Sequence, residues 1–183
     1  MATEYEARIL DVDIPAVERR LGDLGASLTA PRRLMRRCVY DVEAGARGRW
    51  IRLRDDGEKI MVTHKRIVHE GIGGTEEREA LVPDFDAAHA ALSVALVPRA
   101  YQENYRTSYV LDGVMVEIDE WPLIPPYVEV EGPSAEAVTR VAGLLGYTDL
   151  TTDHLYGIYR RYGQELADHR VLAFRHTGLH SAS

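Results

Sequence analysis

The chain has 183 residues, of which 45% are hydrophobic and 28% are charged, so it can bury the core of one domain without disulfides. Its 22 Lys and Arg residues against 29 Asp and Glu residues give a formal net charge of -7, which argues against general attachment to nucleic acids or acidic membranes. The single cysteine, Cys38, excludes an internal disulfide, and no apolar run approaches the roughly 20 residues that span a bilayer. The N-terminus is too charged for the apolar part of a secretory signal, so we expect a cytoplasmic protein.

The first elements of the chain are a predicted strand and a predicted helix. Charged and apolar residues alternate over residues 4–11, which predicts a strand. Asp13 is a good N-cap and Pro15 suits a first helical turn, so a helix is predicted from there to near Gly25. Seven further strands are predicted at residues 35–42, 48–55, 59–66, 76–82, 100–111, 114–120 and 127–131.

Turn and cap residues connect these strands. Asp55-Asp56-Gly57 and Asp112-Gly113 each predict a tight hairpin turn, so the strands on either side should be antiparallel. Three further helices are predicted after Asp84, after Ser134 and near Asp153. These helices are too few and too irregularly placed for repeated βαβ units.

Each predicted strand has one apolar face and one ionic face, because every second residue of a strand shares a face. Arg52 and Arg54, for example, alternate with Ile51 and Leu53. Acidic pairs occur at the same spacing: Glu4 with Glu6, Glu77 with Glu79, Glu117 with Asp119, and Glu129 with Glu131. A sheet with its charged face in water explains any single strand. The separation of cationic from acidic strands favours another arrangement, since like charges at this spacing repel unless a counter-ion lies between them.

A closed barrel with an ionic interior accounts for all of these faces together. We therefore predict an α+β fold, in which an eight-stranded antiparallel closed β-barrel has an ionic lumen and the helices pack on the outside. No repeat or linker divides the chain, so one tunnel domain is expected over residues 1–175, with a loosely ordered tail at residues 176–183.

The lumen of such a barrel would bring acids and cations face to face. Oxygen ligands suit Mg²⁺ or Mn²⁺, and the candidate metal ligands are Glu4, Glu6, Glu129 and Glu131. Opposite them, cationic side chains could clamp a linear polyphosphate, arginine by bidentate contacts and lysine as a point charge; the candidates are Arg8, Arg52, Arg54, Lys65 and Arg106.

The order of these residues resembles that of a known family. Glu4-x-Glu6-x-Arg8 resembles the N-terminal E-x-E-x-K motif of the CYTH, or triphosphate tunnel metalloenzyme, superfamily. The resemblance continues in the family's order and covers about residues 3 to 175, through Ile51-Arg52-Leu53-Arg54, Thr63-His64-Lys65, Glu77-x-Glu79, Arg106, Asp119 and Glu129-Val130-Glu131-Gly132. An ordered series of this kind is far more specific than one short motif.

The resemblance implies a metal-dependent enzyme that acts on a small-molecule triphosphate such as tripolyphosphate, ATP or thiamine triphosphate. It adds Asp119 to the metal ligands and gives catalytic roles to Glu6, Arg8, Lys65 and Glu131, with Glu6 or Glu131 positioning the attacking water. Hydrolysis is the favoured reaction, and a class IV adenylyl cyclase that converts ATP to cyclic AMP and pyrophosphate is the alternative.

Two departures from the family pattern leave a further alternative open. Arg8 stands in place of the motif lysine, and Asn104 stands where the first basic residue of a K-x-R pair is expected. If they weaken the phosphate clamp, the chain would be a non-catalytic nucleotide or polyphosphate binder. A barrel carrier for apolar ligands would instead require an apolar lumen. For Glu77 and Glu79, a role in the site and a role in structural ion pairs are given equal weight. The sequence is also compatible with a homodimer.

Overall fold

The structure is a computed structural model that describes residues 2–43 and 48–174. Within these ranges it contains nine strands, four α-helices and one short 3-10 helix at Leu166–Asp168. The predicted C-terminal tail at residues 176–183 lies outside them. The strands are β1 (Ala2–Ile9), β2 (Ser27–Asp41), β3 (Arg49–Asp55), β4 (Ile60–Ile67), β5 (Thr75–Val82), β6 (Val97–Leu111), β7 (Val114–Glu120), β8 (Tyr127–Gly132) and β9 (Val171–Leu172). The helices are α1 (Ile14–Asp23), α2 (Phe85–Ala95), α3 (Ala135–Leu144) and α4 (Leu155–Arg161).

Eight strands form a closed antiparallel barrel, which confirms the predicted fold class. Their order around the barrel is β2-β3-β4-β5-β1-β8-β7-β6, and pairing of β6 with β2 closes the ring. The two-residue strand β9 adds to β6 in parallel, where Tyr101 pairs with Val171. Closure leaves the eight long strands without a free edge. In this order the strands that carry acidic pairs, β1, β8 and β7, are neighbours.

The predicted caps and hairpins are confirmed, and the largest error is at the start of β2. The side chains of Asp13, Asp84 and Ser134 each accept a hydrogen bond from the backbone N–H three residues later. Strand β2 begins at Ser27, eight residues before the predicted start at residue 35. Its early part contains Pro31 and irregular register with β6, which hides the alternation that a regular strand shows.

Three helices cover the apolar outer faces of the barrel strands. Helices α1 and α3 pack on β1, β7 and β8 through a buried cluster that includes Val17, Leu21, Val138 and Val141. Helix α2 places Phe85 against β2 and β3. In the described part of the chain, no helix is both long enough and apolar enough to cross a membrane.

Helix α4 covers one end of the barrel. Tyr127 lies on the lumen face of β8, in line with Glu129 and Glu131, and it packs with Ile158 and Tyr159 of α4. The hydroxyl of Tyr159 donates to the backbone carbonyl of Pro122, at 2.6 Å, just beyond the end of β7. Apolar side chains of α4 and Tyr127 therefore close one end of the lumen, and we call this group the end cap.

Two glycine substitutions should change stability in opposite directions. A Cβ on Gly74, in the β4–β5 connection, would overlap the backbone carbonyl oxygen of His69, whereas a Cβ on Gly22 in α1 meets nothing within 4 Å. We expect Gly74→Ala to lower the free energy of unfolding by about 2 kcal/mol or more, because the new methyl group would collide with backbone, which cannot move aside as a flexible side chain can. Gly22→Ala should raise it by up to about 1 kcal/mol, through helix propensity. Urea unfolding measures both, and an unchanged midpoint for Gly74→Ala would contradict this geometry.

Candidate active site

The ionic faces of the strands line the lumen, and the structure brings every predicted site residue into it. Strand register places Glu6 beside Glu131, Arg8 beside Glu129, and Arg106 beside Asp119. An ionic lumen excludes the apolar carrier. The predicted residues fall on six strands: Glu4, Glu6 and Arg8 on β1; Arg52 and Arg54 on β3; Lys65 on β4; Arg106 on β6; Asp119 on β7; Glu129 and Glu131 on β8.

Arg106 is the most heavily paired cation of the lumen. Its Nε donates to Oδ1 of Asp119 at 2.7 Å and its Nη2 to Oδ2 of the same carboxylate at 2.5 Å. Its Nη1 pairs with Glu117, and its Nη2 also lies 3.1 Å from Oε1 of Glu129. Burial works against the charge, but these three carboxylates outweigh it and raise the pKa of Arg106 well above its ordinary value.

Arg8 and Lys65 are also held by carboxylates. Nη2 of Arg8 lies 2.8 Å from Oε1 of Glu6 and 2.7 Å from Oε2 of Glu129, while Nη1 donates to the backbone carbonyl of Asp153. Nζ of Lys65 lies 2.8 Å from Glu4 and 3.2 Å from Glu77. Three of the five predicted phosphate ligands, Arg8, Lys65 and Arg106, are therefore held in close ion pairs, with nearest N–O distances of 2.8 Å or less, and Glu77 has a structural partner.

Four other arginines form a cationic surface on β2 and β3 that we call the arginine wall: Arg33, Arg37, Arg52 and Arg54. Their Nε atoms are buried without a hydrogen-bond partner. Among the described residues, Arg52 approaches one carboxylate, that of Glu79, at 3.9 Å, and the other three form no ion pair. Arg33 and Arg37 have neutral partners instead, the side chains of Ser108 and Asn104. The wall therefore carries more positive charge than its carboxylate contacts compensate, which is costly in a largely buried place unless an anion binds there.

The arginines of the wall repel one another. Burial, together with the charges of Arg52, Arg54 and Arg106, lowers the pKa of Arg37 below its ordinary value. The charge of Arg52, followed by burial and the charge of Arg106, lowers the pKa of Arg54 in the same way. This mutual repulsion marks the wall as a site where a polyanion would lower the electrostatic energy.

Opposite in charge to the wall is an acidic cluster formed by Glu117, Glu129 and Glu131. Each offers a carboxylate oxygen, and these oxygens all lie within 4.8 Å of one another. Burial, reinforced by neighbouring carboxylates, raises the pKa of Glu131 to about 8. Despite burial, the charges of Arg8 and Arg106 hold the pKa of Glu129 well below its usual range. Three close carboxylates are a donor set that fits a hard divalent cation.

The other predicted metal ligands have different environments. Asp119 is fully buried, and its oxygens accept hydrogen bonds from Arg106 and from Nδ2 of Asn104. Glu6 lies beside Glu131 in register and pairs with Arg8. Glu4 pairs with Lys65, and burial raises its pKa to about 7 although that lysine lowers it. Glu129 and Glu131 are thus the predicted ligands that fall within the acidic cluster.

Sequence reasoning gave no role to three residues that the structure places at the centre of the lumen. Glu117 was visible as half of an acidic pair, but the ligand role went to its neighbour Asp119. Arg33 and Arg37 alternate with Arg32 and Arg36, so both faces of β2 carry arginines. The pairing partners of Arg32 and Arg36 lie outside the lumen, on Glu120 and Asp55. The alternation of β2 alone could not assign the faces.

A cavity of about 410 Å³ reaches the acids of β1 from outside the barrel. It lies between the β4–β5 connection and the start of α4, and its lining includes Glu4, Glu6, Gly74 and His154. The ring of His154 also meets Trp50 edge to face, with centroids 6.0 Å apart. This contact puts Trp50 of β3 next to the opening.

The fold is shared with several solved structures. A conserved hypothetical protein from Pyrococcus furiosus has a TM-score of 0.74 and 20% sequence identity, over 85% of this chain and 99% of that one. An adenylate cyclase candidate from Vibrio parahaemolyticus has a TM-score of 0.74 and 11% identity, over 86% and 98% of the two chains. A Hippeastrum protein, described as an adenylyl cyclase candidate with a dominant triphosphatase activity, has a TM-score of 0.59 and 16% identity, over 92% and 100%.

No protein-family model matches the sequence, and no curated protein matches it. At these identities the likeness to solved structures shows the fold that the chain shares with them. The resemblance to a family remains that of the motif series that begins at Glu4.

Proposed function

We propose that the protein is a divalent-metal-dependent enzyme that hydrolyses an inorganic or organic triphosphate bound inside the barrel. The observation that carries this proposal is the arginine wall, four arginines that share one long carboxylate contact among the described residues, in the same closed lumen as the acidic cluster. A linear triphosphate offers anionic oxygens to the wall, and the cluster suits the cation that accompanies a triphosphate. We further propose that this small-molecule chemistry takes place in the cytoplasm.

Each part of the lumen has a role in this proposal. Mg²⁺ or Mn²⁺ would be held by Glu117, Glu129 and Glu131, and when bound it polarises a phosphoryl oxygen as a Lewis acid. Arg37, with the rest of the wall, would neutralise phosphate charge and the charge that develops in the transition state. Glu131 would also orient the attacking water, because no cation pairs with its carboxylate among the described residues.

The cations that are already paired have a supporting role. Arg8 and Lys65 hold the carboxylates of Glu6 and Glu4 extended along the lumen face of β1. To bind phosphate, as their motif positions predict, each would have to leave a carboxylate. We therefore rank them after the wall as phosphate ligands. Asn104 accepts a hydrogen bond from Arg37 and donates one to Asp119, so it orients an arginine of the wall.

One solved structure with the same fold favours hydrolysis over cyclisation. The Hippeastrum structure is described as that of an adenylyl cyclase candidate with a dominant triphosphatase activity. The Vibrio structure, described as an adenylate cyclase candidate, keeps cyclisation as the second reading. In that reaction the ribose 3′-hydroxyl of ATP attacks the α-phosphorus and pyrophosphate leaves, which the same lumen could support.

Product analysis tests the proposal directly. The purified protein is incubated with tripolyphosphate, ATP or thiamine triphosphate, each with Mg²⁺, with Mn²⁺ or with EDTA. We expect metal-dependent release of phosphate and its loss in EDTA. Cyclic AMP with pyrophosphate would select the cyclase. Tight triphosphate binding without any product would overturn the enzyme and leave the non-catalytic binder.

A further inference from the structure

We infer that Arg106 is an internal counter-ion of the acidic cluster, which a divalent cation must displace from Glu117 and Glu129 in order to bind. The inference rests on the proposed metal site and adds to it a residue that controls metal affinity. The side chain that resembles a phosphate ligand by its place in the sequence would then act first as a competitor of the metal. Arg106 contacts two of the three carboxylates of the cluster.

Four oxygens of the cluster already have donors. Oε2 of Glu117 pairs with Nη1 of Arg106, and Oε1 lies 3.2 Å from the hydroxyl of Ser108. Oε1 of Glu129 lies 3.1 Å from Nη2 of Arg106, and Oε2 lies 2.7 Å from Arg8. Arg106 is thus the one side chain among these donors that touches both carboxylates.

A guanidinium and a divalent cation cannot share these oxygens at low cost. At contact distance in a buried lumen, a unit charge and a double charge of the same sign repel strongly. The coordination distances of Mg²⁺ and Mn²⁺ to oxygen are also too short to leave room for a second cation on the same lone pairs. Metal binding at Glu117 and Glu129 therefore requires Arg106 to withdraw Nη1 from Glu117 and Nη2 from Glu129.

Asp119 provides the anchor for this movement. Arg106 is joined to Asp119 by two parallel hydrogen bonds, from Nε and Nη2, and Asp119 is also held by Asn104. When Arg106 withdraws from the acidic cluster, its guanidinium can therefore remain bound to Asp119. Asp119 is thus a positioning residue for Arg106. The released Nη1 becomes a donor for a phosphate oxygen, so metal binding and triphosphate binding should strengthen each other by the same factor.

The test measures metal binding without substrate, so it does not depend on turnover. Mn²⁺ affinity is determined by isothermal titration calorimetry at one pH and ionic strength for the wild type, Arg106→Gln and Arg106→Lys. Losing a charge-assisted competitor should tighten Mn²⁺ binding by about tenfold or more in Arg106→Gln. Arg106→Lys keeps a competing charge and should stay within about threefold of the wild type.

Two further variants separate competition from other effects. Arg37→Gln removes another buried arginine of the lumen that contacts no carboxylate, and we expect it to change Mn²⁺ affinity by less than about threefold. Should Arg106→Gln fail to fold because Asp119 is stranded, Arg106→Gln combined with Asp119→Asn removes both charges and should show the same tightening. Circular dichroism verifies the fold of each variant.

The outcomes distinguish this inference from the proposed function. Mn²⁺ binding by the wild type with equal or weaker binding by the folded Arg106→Gln variants overturns the counter-ion role and leaves the metal site standing. Equal tightening in Arg37→Gln also overturns it, since the effect would then be general electrostatics. Absence of Mn²⁺ binding in wild type and variants alike overturns the metal site and this inference with it.

Discussion

Glu131→Gln is expected to abolish measurable Mn²⁺ binding and to lower the rate of triphosphate hydrolysis by at least about 100-fold. Glu131 is the member of the acidic cluster that pairs with no cation among the described residues, and it is proposed both to ligate the metal and to orient water. Glutamine has the same shape but no negative charge. The fold should gain stability, because burial and surrounding carboxylates raise the pKa of Glu131 and so disfavour its charged form.

The control for this substitution is Glu79→Gln. Glu79 is an acid of β5 outside the acidic cluster, and its Oε1 accepts a hydrogen bond from Thr63 at 2.8 Å. It should retain Mn²⁺ binding, measured by calorimetry, and most of the phosphate release, measured colorimetrically. If Glu131→Gln retains wild-type metal affinity, the acidic cluster does not hold the metal.

Arg54→Gln is expected to weaken tripolyphosphate binding by about 10- to 100-fold while raising the melting temperature of the unliganded protein. The affinity falls because a charge-assisted contact of the arginine wall is lost. The melting temperature rises because repulsion by Arg52, which together with burial and Arg106 lowers the pKa of Arg54, is relieved. A residue kept for binding at the expense of stability shows this pair of effects.

Arg36→Gln is the matched control for the arginine wall. Arg36 lies on the outer face of β2, half exposed, with its Nε 3.0 Å from Asp55. Its loss should leave tripolyphosphate affinity unchanged and should lower stability by less than about 1 kcal/mol, as for a surface ion pair. Calorimetry and differential scanning fluorimetry report the two quantities. Equal losses of affinity in both variants would show that net charge, and not the wall, governs binding.

Most strands of the barrel were predictable, because strand faces and hairpin turns are set by residues close together in the sequence. Every second residue of a strand shares a face, so the ionic lumen follows from pairs such as Glu129 and Glu131. Asp112-Gly113 fixed a hairpin because both residues adopt positive φ, of 52° and 77°. The start of β2 was missed because register shifts around Pro31 interrupt the alternation over its first residues.

The pairing of charges within the lumen was not predictable from spacing. Which carboxylate receives Arg106 depends on the stagger of β6, β7 and β8, and the sequence pattern does not encode that stagger. Asp119, which the family resemblance predicted as a metal ligand, has its oxygens occupied by Arg106 and Asn104. Arg52 and Arg54 of the wall were predicted, but Arg33 and Arg37 were missed, since only the closed ring decides which of two adjacent arginines on β2 faces inward.

The replacement of the motif lysine by Arg8 has a local explanation in the structure. Its guanidinium reaches three partners at once, two carboxylates on β1 and β8 and the backbone carbonyl of Asp153. Asp153 immediately precedes the cap of α4, and Arg8 also forms a backbone bridge with Thr151. The planar fork of arginine thus connects the lumen to the segment that leads into the end cap.

The position of β1 in the ring determines when the site can exist during synthesis. This strand is synthesised before the other seven long strands, and its partners are β5 and β8. Glu4 can pair with Thr75 once β5 has emerged, whereas Glu6 lacks its partner Glu131 until β8 has emerged, so one edge of β1 stays open until then. The acidic side of the lumen is therefore complete only when the first long strand of the barrel pairs with the last one.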